Sequence, residues 1–357
     1  MDLEFEQVLK EASARGASDV FIIPGKPLAM KVGGEIADVT QEKLLPEHTN
    51  AILESIYAYA NGRDIKRVEM TGDDDFSFSL PGVARFRVSA FKQRGTLSAV
   101  IRVVAFSLPD PAALSIPQIA LDQAERTKGL VLVTGPTGCG KSTTLACIID
   151  RINRTRNAHI ITLEDPIEFL HRHDRSIVSQ REVSLDTESY VVALRAALRQ
   201  TPNVILLGEM RDRETIEIAM TAAETGHLVL STLHTVGAAN TIDRIIDAFP
   251  AAQQGQTRVQ LAMVLAAVIS QQLVPKSDGK GVAPAFEVML INDAIRNMIR
   301  ESKIHQIDSV ITSSAGEGMF TMDSSLLALV KAGQISADTA AAYATQPDLL
   351  RKRIAAG

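Results

Sequence analysis

The stretch "LVLVTGPTGCGKSTTLACIID", Leu130 to Asp150, decides how the rest of the chain is read. An apolar run stops at Thr134, three glycines fall within residues 135–140, and a lysine with Ser-Thr-Thr opens a helical pattern. Glycine is costly to order, so glycines this dense mark a backbone held for a purpose. Gly135, Pro136, Thr137, Gly138, Cys139, Gly140, Lys141 and Ser142 match G-x-x-x-x-G-K-[ST], with a strand pattern before and a helix pattern after. In that setting the backbone N–H groups turn inward as an anion nest, and the helix adds the positive end of its dipole. Lys141 supplies a point charge for β- and γ-phosphates, and Ser142 a hydroxyl for Mg²⁺. Thr143 and Thr144 either continue that contact at the α-phosphate or simply open the helix. The ligand this implies is a nucleoside triphosphate with Mg²⁺. No N-K-x-D guanine-reading motif occurs in the chain, which favours ATP over GTP.

Outward from the loop, strand-like and helix-like runs alternate. "HIITLE", "SIVSQ", "VILLGE" and "LVLSTL" read as strands, and 141–154, 188–200 and 212–224 as helices. Near-continuous apolar strands between helices predict a mostly parallel sheet buried on both faces. The apolar segment 261–274, "LAMVLAAVISQQLV", is too short for a membrane span and reads as a buried helix. Beyond about residue 290 the pattern is helical. Upstream, residues 3–15 read as a helix ending at Gly16, followed by strands "DVFII", "LAMKV" and "EIADV" with a Gly33-Gly34 hairpin turn. "PEHTNAILESIYAYANG" predicts a helix, and "DFSFSL", "ARFRVSAFK" and "LSAVIRVV" a strand meander. The expected organisation is an α+β domain over 1–104, a proline-rich linker over 105–118, and an α/β domain over 119–357.

Composition narrows the class. The chain of 357 residues is 46% hydrophobic and 22% charged, as expected of a globular protein. Its net charge of −5 opposes a nucleic-acid partner, since sustained phosphate binding usually shows a basic excess. Cys139 and Cys147, the only cysteines, suggest neither a disulfide framework nor a cysteine zinc site and fit a reducing cytosol. The acidic, amphipathic "MDLEFEQVLKEA" carries no secretory h-region.

In a doubly wound sheet, ligands gather at the carboxyl ends of the strands. "IITLEDPIEF" places Glu164 and Asp165 at one such end, and "VILLGEMRD" places Glu209 at another. An acid there orients or deprotonates an attacking water, or holds Mg²⁺ directly or through water. Gly208 stands where a magnesium aspartate is expected, so Glu209 is positioned to reach the metal through a water. "HLVLSTLHT" puts His234 at a third end, where it senses a γ-phosphate or is a structural histidine; His227 reads as structural.

Taken together, Gly135–Thr143, "LEDPIEF" (163–169), "LRQTPNVILLGEMRD" (198–212) and "AAETGHLVLSTLHT" (222–235) resemble the secretion-ATPase superfamily of type II secretion, type IV secretion and type IV pili. The short N-terminal region from "GASDV", the "SLPGVARFRVSAFKQRG" meander and "AIRNMIRES" (294–302) are similar to its PilT-type retraction ATPases. The resemblance implies a PAS-like N-terminal domain and a RecA-like ATPase domain, assembled as a homo-hexamer that hydrolyses ATP to retract pili. It assigns the catalytic glutamate to Glu164, the Walker B acid to Glu209, the histidine box to His234, and arginine contacts to ATP to Arg87 and Arg102. It implies a pilus inner-membrane platform protein as partner, a paralogous retraction ATPase beside it, and a cytoplasmic location at the inner face of the membrane. A PilU-like accessory ATPase and a nucleotide-gated assembly factor are the alternatives. Thr201, Asn203, Met298 and Phe21 depart from the family's usual residues without touching the nucleotide machinery.

Overall fold

A computed structural model describes residues 5–60, 62–104 and 108–356. Residues 3–4 of the expected first helix, Asn61 of the second and 105–107 of the expected linker lie outside the described residues. The chain divides into two compact units, Met1–Leu108 with Glu168–Arg172, and Pro109–Ile167 with His173–Gly357.

The first unit holds helices α1 (Phe5–Ala14), α2 (Pro46–Ala58) and α3 (Lys66–Thr71). Its strands are β1 (Asp19–Ile22), β2 (Pro27–Val32), β3 (Glu35–Lys43), β4 (Asp73–Leu80), β5 (Ala84–Gln93) and β6 (Thr96–Val104). They form one antiparallel sheet in the order β3-β2-β1-β6-β5-β4. The β2–β3 hairpin turns at Gly33 and Gly34, φ 61° and 92°, the paired positive values that a tight two-residue turn needs. Along β5, Ala84, Phe86, Val88 and Ala90 are buried while Arg85 and Arg87 project to the other face. The buried face meets Leu9, Leu53 and Ile56 from α1 and α2 in a single core.

The second unit contains α4 (Gln118–Leu121), α5 (Lys141–Thr155), α6 (Tyr190–Ala197), α7 (Arg213–Glu224), α8 (Ala238–Asp247) and α9 (Ala251–Val264). After these come α10 (Asp293–Arg300), α11 (Ile307–Ser313), α12 (Met322–Lys331), α13 (Ala337–Tyr343) and α14 (Pro347–Ala355). Its strands are β7 (Gly129–Thr134), β8 (His159–Glu164), β9 (Ile177–Glu182), β10 (Val204–Leu207), β11 (Leu228–Leu233), β12 (Leu265–Pro275) and β13 (Val282–Leu290). The sheet runs β13-β12-β7-β11-β10-β8-β9, parallel from β12 to β9, with β13 antiparallel at the edge. Strands β7 and β11 are buried at every position, as a sheet covered on both faces requires.

One expectation fails. Residues 261–274 are not a single buried helix: α9 ends at Val264 and the backbone turns extended at Leu265 to enter β12. β12 lies between β7 and β13 and is buried on both faces, so it carries no period-two signal, and its apolar run is indistinguishable by pattern from a core helix. Its partner β13 was not visible in the sequence for the same reason. The segment from Pro109 to Ile116 has turns but neither helix nor strand, and Ile116 is buried. Among the described residues no helix is long and apolar enough to cross a membrane.

Candidate functional site

The register of the parallel strands places four of the predicted elements at one edge. Leu233 of β11 is level with Thr134 of β7, and Leu207 of β10 is level with both Ser231 and Leu163. The loop after β7, Glu209 after β10, Glu164 at the end of β8 and His234 after β11 therefore share the carboxyl rim.

The glycine-rich loop is held tightly. Gly135 has φ 142°, and a Cβ on it would lie 2.2 Å from the Gln271 carbonyl oxygen, so only glycine passes the β12 backbone here. Gly140 enters α5 at φ 92°. The Gln271 side chain, almost fully buried, accepts from the Thr144 hydroxyl at 2.8 Å and donates to the Cys139 carbonyl. Lys141 folds back along the loop and donates to the Gly135 and Pro136 carbonyls at 2.9 and 3.0 Å. Ser142 and Thr143 follow it in the first turn of α5. Burial raises the Cys139 thiol, with Lys141 partly offsetting it, so the cysteine inside the loop is an inert packing group. Cys147 is pushed up to about 11, first by burial and then by Asp150 and Asp110.

His234 ties the loop to the acids. Its Nδ1 lies 3.5 Å from both Thr137 Oγ1 and Lys141 Nζ, and its Nε2 lies 3.3 Å from Glu209 Oε2. The other Glu209 oxygen pairs with Arg211 at 2.6 Å, a contact that holds the guanidinium above its ordinary range. Glu164 accepts from Thr162 Oγ1 at 2.6 Å and from Gln180 Nε2 at 3.3 Å, which aims its carboxylate along the rim. The loop carrying His234 is itself anchored: the Gly237 N–H donates to Ser270 Oγ at 2.9 Å and the Ala238 N–H to Glu287 Oε1 at 2.7 Å. Buried Glu287 also accepts the Met322 N–H, capping α8 and α12 with one carboxylate. Burial raises this carboxyl above its ordinary range, against the two N–H groups. His227, by contrast, hydrogen-bonds the Ala222 carbonyl at 2.9 Å, a local structural contact.

A cavity of about 640 Å³ opens against Cys139, Gly140, Thr143, Thr144 and Gln271, and Ala113–Ile116 wall part of it. It adjoins the start of α5, on the side where Thr143 and Thr144 lie, and has both apolar and polar walls. Arg87 and Arg102 are on the other unit, opposite each other across β5 and β6. Arg102 pairs with Asp19 at 3.2 Å.

Residues 2–285 match the model of a family described as Type II/IV secretion system protein. The chain belongs to this family. It is 44% identical to the type IV pilus retractation ATPase PilT of Pseudomonas aeruginosa, over 97% of this chain and 99% of that one. It is 41% identical to the type IV pilus ATPase PilU of the same organism, over 99% and 92% of the respective chains. The crystal structure of the pilus retraction motor PilT with bound ADP superposes with a TM-score of 0.89 at 44% identity, covering 98% of this chain and all (100%) of that one. The fold is the α/β class expected of the family, with a RecA-like core and a smaller α+β unit.

Sequence reading missed four residues of this rim. Gln271 sat in the segment misread as helix. Thr162 and Gln180 precede or follow the motifs and have no signature of their own. Tyr190 lies in a stretch read only as helix. A search for polar residues inside the apolar runs, whichever element they form, would have flagged Thr162 and Gln271, because a buried polar side chain needs a partner.

Proposed function

We propose that this chain is an ATP-hydrolysing motor that powers type IV pilus retraction and twitching motility. The observation that carries the reading is the linked line Lys141–His234–Glu209, with Glu164 on the same rim. It occurs in a chain 44% identical over nearly its full length to a retraction ATPase. In this reading Lys141 exchanges the Gly135 and Pro136 carbonyls for the phosphates, and Glu164 takes the proton of the attacking water. His234 reports phosphate state to Glu209. The cavity beside Thr143, Thr144 and Gln271 takes the base and ribose of ATP. Ser142 and Glu209 would hold Mg²⁺. Their hard oxygen donors suit that ion, and no cluster of three or more His, Cys, Asp or Glu residues forms a protein cage among the described residues. Mg²⁺ held there would supply charge neutralisation at the transferred group.

The assembly proposed is a homo-hexamer at the cytoplasmic face of the inner membrane, acting on the pilus platform protein. The 41% identity to PilU also supports an accessory retraction ATPase as a second reading. Twitching lost on deletion of this gene alone supports the motor; twitching lost only with a paralogue supports the accessory role.

The chemistry is tested by Glu164→Gln. ATP binding should persist while turnover falls by about 10²–10⁴, the usual cost of losing a general base. Wild-type turnover in that variant would move the role to Glu209. Lys141→Ala should instead weaken ATP binding itself. A chain that binds ATP but never hydrolyses it would be a nucleotide-gated assembly factor.

A further inference from the structure

Between the two acids of the rim stands a residue that none of the motifs includes. Tyr190 is the first residue of α6, placed by Ser189, whose hydroxyl accepts the Val192 N–H. Its ring packs on the core that contains Leu163 and Leu207, the last apolar residues of β8 and β10. That packing carries the hydroxyl over the end of β10. A Cβ on Gly208 would lie 2.8 Å from the Tyr190 oxygen, 3.3 Å from the Leu163 carbonyl oxygen and 3.5 Å from the Glu164 Cα. Gly208 does not have a positive φ, so backbone conformation does not demand glycine there. The nearest obstacle to a side chain at 208 is the tyrosine hydroxyl, and the Leu163 carbonyl oxygen is the next.

The chemistry of this position is specific. Burial raises the phenol above its ordinary range, and the charges of Glu209, Asp165 and Glu164 raise it further. It is therefore a neutral donor surrounded by carboxylates. Among the described residues the hydroxyl has no hydrogen-bond partner. A partly buried phenol whose oxygen finds no protein acceptor directs its proton to solvent or to a ligand oxygen. A phenylalanine would supply the same packing at lower desolvation cost.

We propose that Tyr190 is a positioning residue of the hydrolytic step: its hydroxyl fills the place of a side chain at 208 and donates to the water held between Glu164 and Glu209. The inference rests on the ATPase reading of those two acids. The hydroxyl neither binds phosphate nor takes a proton; it fixes where the water sits relative to the Glu164 carboxylate. Such an interaction is made in the reacting complex and adds little to ATP affinity, so its loss falls on kcat.

Tyr190→Phe keeps the ring and removes one oxygen. Measured beside wild type and Glu164→Gln, it should lose about five- to tenfold in kcat, the worth of one hydrogen bond, with KM for ATP and Tm unchanged. Gly208→Ala supplies a second, geometric test. In wild type the new methyl collides with the hydroxyl at 2.8 Å; in Tyr190→Phe that collision is gone and the closest remaining approach is the Leu163 carbonyl oxygen at 3.3 Å. Adding Gly208→Ala should therefore lower kcat much more in the tyrosine background than in the phenylalanine one. Equal effects of Gly208→Ala in both backgrounds, or Tyr190→Phe with the kcat of wild type, would overturn the proposal while leaving the ATPase reading intact if Glu164→Gln is inactive. A fall in Tm and a rise in KM accompanying the loss of kcat would make Tyr190 a structural residue. Absence of turnover in wild type would sink both readings.

Discussion

Gln271 shows what a single side chain contributes to a loop that the motif alone does not fix. Three glycines allow the backbone to turn its N–H groups inward, but permissive residues do not choose one conformation. The choice is made by contact with β12. The Gln271 backbone oxygen faces Gly135 at a distance no Cβ tolerates, and its side chain bridges the Cys139 carbonyl and the Thr144 hydroxyl. Gln271→Ala should lower stability by about 1–3 kcal/mol, since two buried polar groups lose their partner. ATP affinity should fall with it, because the loop then samples conformations that do not bind. Urea denaturation and a nucleotide titration check this, and an unchanged midpoint with unchanged affinity would show that the glycines suffice. The loop, Lys141 and the acids were legible because their signal is local: a glycine spacing, or an acid directly after an apolar run. Gln271 was not, because its role depends on which strand lies beside β7, and that pairing is more than 100 residues distant in sequence. Tyr190 escaped for the same reason, its partner Gly208 lying on another element.

The helices and strands divide along similar lines. The helical pattern beyond residue 290 was readable, and in α10 Ile295 and Ile299 are fully buried, Met298 packs half-buried against the same core, and Asn297 and Arg300 face outward. Ala294 is exposed. The polar face is not explained by stability. Arg296 pairs with Asp293 at 2.7 Å on the surface, an i,i+3 contact of small worth. Burial, and then the like charge of Arg296, holds the Arg126 guanidinium below its ordinary range, so Arg296 is a repulsive neighbour. Arg296→Gln with Arg300→Gln should therefore leave Tm and most ATPase activity in place. If α10 transmits force to the pilus machinery, the same variant should abolish twitching. ATPase activity and twitching lost together would reduce the helix to a structural element. The strand β12, by contrast, was illegible as a strand. Buried on both faces and continuous with the helical pattern of α9, it offers a long apolar run without period, and length then favoured the wrong element.

At the scale of the whole molecule, Arg87 and Arg102 break a local rule. They are direct cross-strand neighbours on β5 and β6, and like charges in that position are destabilising. Asp19 relieves Arg102, whose side chain is 65% exposed, while Arg87 has neither an ion pair nor a hydrogen bond among the described residues. Nothing in a single chain reveals what these arginines face. A rule broken with compensation at only one of the two arginines is expected at a functional surface. In the proposed ring these arginines would meet the γ-phosphate held by the neighbouring subunit. An arginine supplied in trans is worth roughly 10³–10⁵ in rate, or about 4–7 kcal/mol of barrier. A lone subunit would then be nearly inactive, and specific activity should rise with protein concentration as rings form. Arg87→Ala and Glu164→Gln should each be nearly inactive in pure rings, the first lacking the arginine at every site and the second the general base. Mixed rings contain some interfaces where an intact Arg87 meets an intact Glu164, and turnover should return there. Mixing ratio sets how many such interfaces exist, so recovered activity should peak near equal proportions and vanish at either extreme. Rings verified as mixed by mass, yet showing no recovery at any ratio, would place Arg87 and Glu164 at the same subunit's site and end the trans assignment.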